Sequence, residues 1–268
     1  EEINMRIKLN NVSETMLITL YMRATDAKSE KPILNDKKSE EIISQIDYDF
    51  SKFKHAWASY YGVLSRAKMM DNEVKKFMEK YPDCVIVSIG CGLDTRFLRI
   101  DNGKIRWYNL DLPEVIEKRK LFFEPNERVT DIAKSAFDSA WTKDIKLEGK
   151  KLLIISEGVL MYFEEQQIKQ FLEILTDNFD SFEAQFDLLY KGTVKMSKKH
   201  DTLKNMEAKF SWGVKDGSEV VKLNPKLKQT GLINFTDEMK HHLPGWKKLF
   251  IPFFYIFNNR LGIYTYEK

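Results

Sequence analysis

From Cys84 onward the chain alternates short β-branched runs with stretches of helical period, and this alternation constrains the fold more than any other feature. "CVIVSIG" (84–90), "IRWYNLD" (105–111), "RVTDIAK" (128–134), "KLLIISEG" (151–158) and "AQFDLLY" (184–190) read as strands. Between them stand "LPEVIEKRKLFF" (112–123), with Pro113 in its first turn, and the amphipathic "EEQQIKQFLEILTDNF" (164–179). Runs that are apolar on both faces belong inside a parallel sheet whose crossovers are helices. The expected class is α/β, with a doubly wound parallel sheet.

Residues 12–80 carry no strand signal. "VSETMLITLYMRATDAK" spaces its apolar residues as a helix does, "SEEIISQI" (39–46) reads as a second helix, and 53–81 as a long third that ends before Pro82. No Gly/Ser/Pro linker follows, so residues 1–82 are expected to cap the core, not to form a second domain. Residues 83–191 are then the core and 192–231 a lysine-rich helical insertion or flap near the ligand edge. Residues 232–268 supply the last strands, including "WKKLFIPFFYIF". The run "LFIPFFYIF" (249–257) is too short to span a bilayer and contains Pro252; it is expected to be a core strand, with no membrane contact.

Charge excludes one class of partner. The 43 basic and 40 acidic side chains leave a net +3, without the basic excess that nucleic acid demands. The two cysteines, Cys84 and Cys91, flank one strand and are expected to stay unpaired, which suits a reducing cytoplasm. The N-terminus lacks the basic-then-apolar order of a signal peptide.

In doubly wound sheets ligands bind beyond the carboxyl ends of the strands. The first strand ends in Gly90-Cys91-Gly92 and then a charged turn, Asp94-Thr95-Arg96. Two glycines permit a sharp turn and a close approach of ligand to backbone, or simply a tight turn. A dinucleotide fingerprint would place a third glycine where Thr95 stands. The second strand ends at Asp111, beside Leu112; an acid there suits the hydroxyls of an adenosine ribose, or caps the next helix. After the third strand, Ser135, Ala136 and Asp138 are within reach of an adenine, or Asp138 starts a short helix. The fourth strand ends at Glu157-Gly158, and a carboxylate closing an apolar run must be paired or face a cleft.

"SIGCGLDTR", "YNLDLPEVIEKR", "KSAFDSAW" and "SEGVLMYF", with "VSETMLITLYMRA" and "SRAKMMD" upstream, resemble the leucine carboxyl methyltransferase-like group over residues 12–180. That group includes bacterial O-methyltransferases of polyketide biosynthesis. The resemblance implies a Rossmann-like, mostly parallel seven-stranded sheet and an S-adenosylmethionine cofactor. It implies that Arg66 holds the methionine carboxylate, that the Gly90–Gly92 backbone contacts the cofactor, and that Asp111 takes the ribose. Ser135 and Ala136 fall where the eukaryotic members carry an Asp-Leu pair near the adenine, Asp138 matches an acid just downstream, and Glu157 matches the acid of the fourth strand. Thr19 lies nearest to the place of a lysine in the eukaryotic branch, which argues against a protein C-terminus as substrate.

The sulfonium of the cofactor is a cation that carboxylates and aromatic faces attract, a role open to Glu157, Tyr162 and Phe163. Tyr162 is also a candidate to orient the acceptor, or is a core tyrosine with a satisfied hydroxyl. A carboxylate acceptor is already ionised near neutral pH; a phenol gains from a base, and His200, His241 and His242 are candidates by type alone. The expected activity is O-methylation of a carboxylate or hydroxyl on a small molecule, with no metal. A nicotinamide-dependent oxidoreductase, an RNA methyltransferase and a non-catalytic cofactor-binding protein are the alternatives.

Overall fold

Two strands are buried along their whole length, β1 (Val85–Ile89) and β4 (Leu152–Ser156), and they run parallel side by side. β2 (Arg106–Asp111) and β3 (Val129–Ala133) extend the sheet on one flank; β5 (Ser181–Leu188), β7 (Arg260–Glu267) and β6 (Lys228–Asn234) extend it on the other. The computed structural model describes residues 11–196 and 210–268, and among them the sheet has seven strands in the order β3-β2-β1-β4-β5-β7-β6. Only β7 is antiparallel to its neighbours. The expected α/β class and mostly parallel seven-stranded sheet are both present.

Side chains alternate faces along each strand, so the two core layers follow from the strand sequences. Val85, Val87 and Ile89 join Leu152 and Ile154 against Phe171, Leu172 and Leu175 of α6 (Glu165–Asn178). Ile86, Leu153 and Ile155 face the other way, onto Met70, Val74 and Phe77 of α3 (Trp57–Lys80). The cap adds α1 (Asn11–Ala27) and α2 (Lys37–Ser44), which bury Leu17, Leu20 and Ile42 against Leu93 of the loop after β1.

Three expectations give way. The helix expected over 112–123 is only α5 (Pro113–Arg119); the chain then turns and carries Phe122 into the cap cluster. The supposed insertion is partly core. Within it lie α7 (Lys191–Met196) and α8 (Ser218–Leu223), and β6 already begins at Lys228. Val220 and Leu227 are buried in the main core, and Asn224 donates to the Leu172 carbonyl at 3.1 Å. Residues 197–209 of that segment, with His200, lie outside the described residues.

The third correction has the largest consequence. After α9 (Thr236–His242), the run read as a core strand is a 3-10 turn (Gly245–Phe250) and then the helix α10 (Ile251–Phe257). Pro252 fits the first turn of a helix, where its missing N–H is not needed, whereas in a strand it would break the ladder. Phe250, Phe254 and Phe257, spaced as on one helix face, set their rings against Trp57 and Tyr190.

Candidate functional site

β1 and β4 are the strands at which the order of the sheet reverses, and beyond their carboxyl ends lies a cavity of ≈ 850 Å³. Strand ends from β1, β2 and β4 form its floor, α1 and α3 of the cap its roof, and Phe253, Phe254 and Phe257 of α10 one side. Arg66, Gly90, Cys91, Gly92, Asp111 and Leu112 all line it, as do Ser135, Ala136, Glu157, Gly158 and Tyr162.

The loop after β1 turns through left-handed backbone at Gly90 (φ 65) and Gly92 (φ 49). A side chain at 90 would collide with Val159, and one at 92 would reach Met16 at 3.5 Å. The bare faces of both glycines are therefore met by protein side chains, not by open space, which corrects the reason expected for them. The loop amides are committed too. Gly90 and Cys91 donate to the Leu110 carbonyl at 2.8 and 3.2 Å, and Gly92 donates to Asp111 Oδ2 at 2.8 Å. Asp94 accepts from the Arg96 amide at 3.0 Å, so a carboxylate already sits at the start of the five-residue helix α4 (Arg96–Ile100). A phosphate would find no spare amides among these.

Asp111 faces the cavity with each oxygen anchored once, Oδ2 by Gly92 and Oδ1 by the Leu112 amide at 2.8 Å. A carboxylate oxygen has two lone-pair sites, so acceptor capacity remains for a diol. Burial pushes the Asp111 pKa up, and the two amide bonds work against that shift.

The charged turn is explained by partners far away in sequence. Arg96 is almost wholly buried and donates to Asp71 at 2.7 Å, to Asp94 at 2.9 Å and to Glu157. Arg99 binds Asp71 at 2.8 Å and Asp36 at 3.1 Å; Arg23 pairs with Asp36 at 3.2 Å and Asp94 at 3.7 Å. Thr95 donates to Asp36, whose carboxylate also caps α2 through the Ser39 amide. This network ties the cap to the cavity floor. Burial opposes the charges on Asp94 and Glu157. The arginines nevertheless outweigh it and hold both pKa values below the usual carboxylate range.

Arg66 donates through Nε to Glu157 at 2.9 Å and through Nη1 to Asp187 at 3.1 Å. Asp187, fully buried near the end of β5, also accepts from the Gly158 amide and from Asn259, each at 2.9 Å. Burial raises its pKa despite Arg66. Asp187, Asp71, Asp36 and Arg23 gave no signal in sequence, because each is an isolated charge whose partners only the fold supplies.

Asp138 does not line the cavity. It caps the 3-10 turn Ser139–Asp144 by accepting from the Ala140 amide at 2.9 Å. Replacing it with alanine is expected to cost about 1 kcal/mol of stability, read from denaturant unfolding, and to leave S-adenosylhomocysteine affinity unchanged. Thr19 lines the cavity roof with its hydroxyl turned to the Met16 carbonyl at 2.9 Å. His241 and His242 do not line it, and His242 pairs with Glu238 at 2.7 Å. Tyr162 and Cys91 are both held protonated by burial, which raises their pKa values. Both cysteines are free thiols.

The model of the leucine carboxyl methyltransferase family matches residues 16–176. The tetracenomycin polyketide synthesis O-methyltransferase TcmP of Streptomyces glaucescens is 30% identical over 209 residues, 78% of this chain and 77% of its own. The S-adenosyl-L-methionine-dependent methyltransferase dpfgK of Gibberella zeae is 28% identical over 247 residues, 83% of this chain and 82% of its own. Among solved structures, a DUF574-family protein from Streptomyces avermitilis superimposes with a TM-score of 0.64 at 8% identity, covering 95% of this chain and 97% of that one. The magnesium protoporphyrin IX methyltransferase of Synechocystis, solved with bound S-adenosylhomocysteine, gives 0.52 at 10% identity over 93% and 100% of the two chains. At these identities the structural matches speak to the fold alone.

Proposed function

The chain belongs to the leucine carboxyl methyltransferase family, and we propose that it uses S-adenosylmethionine to methylate an oxygen of a small molecule, a carboxylate in preference to a hydroxyl. The observation that carries the cofactor reading is Asp111, held by two backbone amides and turned into a cavity where the Gly90, Cys91 and Gly92 amides are already taken by protein acceptors. The same observation counts against a nicotinamide dinucleotide. The charged groups also suit the ligand. Asp94, Asp111 and Glu157 line the cavity together with Arg23, Arg66 and Lys134, a mixed set that fits a molecule bearing both signs.

When bound, S-adenosylmethionine supplies a methyl group activated by its sulfonium. The chain's own residues bind, align and exclude water. Asp111 accepts from the ribose hydroxyls. Arg66 offers a planar guanidinium that suits the amino-acid carboxylate, held in place by Glu157 and Asp187. The cap covers the site, and the raised pKa of Tyr162 keeps its proton available to an acceptor oxygen.

Preference for a carboxylate rests on what the wall offers as a base. None of the described residues lining the cavity is a histidine. Tyr162 and Cys91 hold their protons, and Glu157 is engaged by two arginines. A carboxylate, ionised above about pH 5, needs no base, whereas a phenol with pKa near 10 does. Transfer from labelled S-adenosylmethionine to a panel of aromatic and aliphatic acids is the direct test. With a carboxylate acceptor, kcat/KM is expected to stay flat from about pH 6 to 9. A rise of about tenfold per pH unit would identify a phenol titrating without help. Failure to bind S-adenosylhomocysteine by calorimetry would remove the reading.

A further inference from the structure

We infer that the segment Gly245–Phe257 is a docking surface for an anionic lipid bilayer, which it meets as a peripheral contact. α10 and the 3-10 turn before it are apolar on both faces. A helix apolar all round is normally buried all round. Here Phe254 and Phe257 face inward onto Trp57 and Tyr190, and Phe250, 41% exposed, meets Trp57 at the edge of the segment. The outer stripe is Trp246, Leu249, Phe253 and Ile256, spaced three, four and three residues apart, with Trp246 also edge-on to Trp57. Its members are 63%, 81%, 49% and 53% exposed. Large contiguous apolar patches on a soluble domain mark a surface that something covers.

Charge selects the occupant. Lys248 stands exposed within the stripe, and Lys247 lies beside it over the rings of Trp57 and Tyr61. Residues 239–266 contain four cations, Lys240, Lys247, Lys248 and Arg260, with no Asp or Glu, and of these Lys240 is paired with Asp237 at 3.4 Å. The acids nearest in sequence, Asp237 and Glu238 on α9, are engaged by Tyr255 at 2.7 Å and by His242 at 2.7 Å. A second copy of the chain would set this patch against itself, lysine facing lysine with no acid between, which repels. An anionic bilayer has no such conflict. Tryptophan and phenylalanine settle at the headgroup boundary, leucine and isoleucine enter the acyl region, and lysines reach back to the phosphates. The surface binds on one side only, since no helix among the described residues is long and apolar enough to cross a membrane. Phe253 belongs to both the stripe and the cavity wall, so docking sets that wall of the cavity against the lipid. The sequence reading expected no membrane contact because it placed this run in the core as a strand; the exposed stripe removes that premise.

The full chain is floated with vesicles of phosphatidylcholine and phosphatidylglycerol in equal parts, and separately with phosphatidylcholine alone. Binding to the mixed vesicles is expected, with a blue shift in tryptophan emission, and binding to the neutral ones roughly tenfold weaker or less. Leu249→Asp, at a position too exposed to threaten folding, is expected to reduce flotation at least about tenfold. Lys247→Glu with Lys248→Glu should abolish the preference for anionic lipid. Neither change touches the cavity, so S-adenosylhomocysteine affinity by calorimetry stays as in the parent, and failure here is separable from failure of the methyltransferase reading. No flotation with anionic vesicles, equal flotation of Leu249→Asp, or a dimer that Leu249→Asp dissolves without any vesicle binding would each overturn the proposal.

Discussion

Asp111→Asn is expected to weaken S-adenosylhomocysteine binding roughly 100-fold, about 3 kcal/mol, while the chain remains folded. The asparagine keeps one acceptor oxygen and exchanges the other for a donor. It therefore cannot accept from both the Gly92 and Leu112 amides and also take a diol. What is lost is a pair of charge-assisted hydrogen bonds inside a shielded cavity, where such bonds carry more energy than in water. The pH dependence separates this account from a simple change of shape. Burial raises the Asp111 pKa above its unfolded value. The carboxylate is therefore the disfavoured form in the empty protein, and it becomes protonated earlier than usual as the pH falls. A protonated acid is a poorer acceptor for ribose, so affinity in the parent is expected to fall on acidification, and to begin falling at a higher pH than an ordinary aspartate would give. In Asp111→Asn there is no proton to gain at this position, and its part of the drop disappears. Calorimetric titrations of both proteins as the pH is lowered decide it. A parallel fall in the two would show that another group controls binding.

The strands of the parallel core and the acid at the end of β2 were legible because their signals are local. A β-branched run stopping at glycine, or an apolar run stopping at Asp111 or Glu157, is visible without knowing the neighbours. The last part of the chain was not legible for a definite reason. "LFIPFFYIF" is apolar at every position, so its periodicity cannot tell a strand from a helix. The fold decides it, because β7 occupies the place beside β5 that a strand over 249–257 would need. The supposed insertion failed in the opposite sense. Its many lysines hid Val220, Asn224 and Leu227, each of which is buried. The charged turn Asp94-Thr95-Arg96 stands out in the sequence, but nothing local says what pairs with it. Its partners, Asp36 and Asp71, lie in the cap at separations that no spacing rule connects. The network is thus the part of the site that sequence could point at and not complete.

That network makes Arg96 the position where one truncation should cost the fold most. Arg96→Ala is expected to destabilise the protein by about 4 kcal/mol and to lower Tm by about 10 °C. The guanidinium is 1% exposed and serves three carboxylates at once. After truncation Asp71 keeps Arg99 and Glu157 keeps Arg66, but Asp94 is left, beside the backbone amide of residue 96, with only the longer cationic contacts to Arg23 at 3.7 Å and Arg99 at 3.9 Å. Arg96→Lys restores the charge and can reach only part of this set, so it should recover only a fraction of the loss. The sign of the pH effect follows from the depressed pKa values of Asp94 and Glu157. An acid whose pKa is lower folded than unfolded contributes stability that is complete above its unfolded value. That contribution is lost as pH falls through the folded value. The parent therefore surrenders this stability in acid, below about pH 4. Without Arg96 the two carboxylates lose their largest cationic partner or a close one, and their pKa values move upward. The variant then has less to surrender, so the Tm difference should be widest near neutral pH and narrow in acid. A pure packing defect such as Phe171→Ala, on the face of α6 that packs against the sheet, would instead give a deficit nearly independent of pH. Melting curves of the three proteins from about pH 3 to 8 distinguish the two behaviours. A constant gap for Arg96→Ala would mean that the side chain matters for its volume and not for its charge.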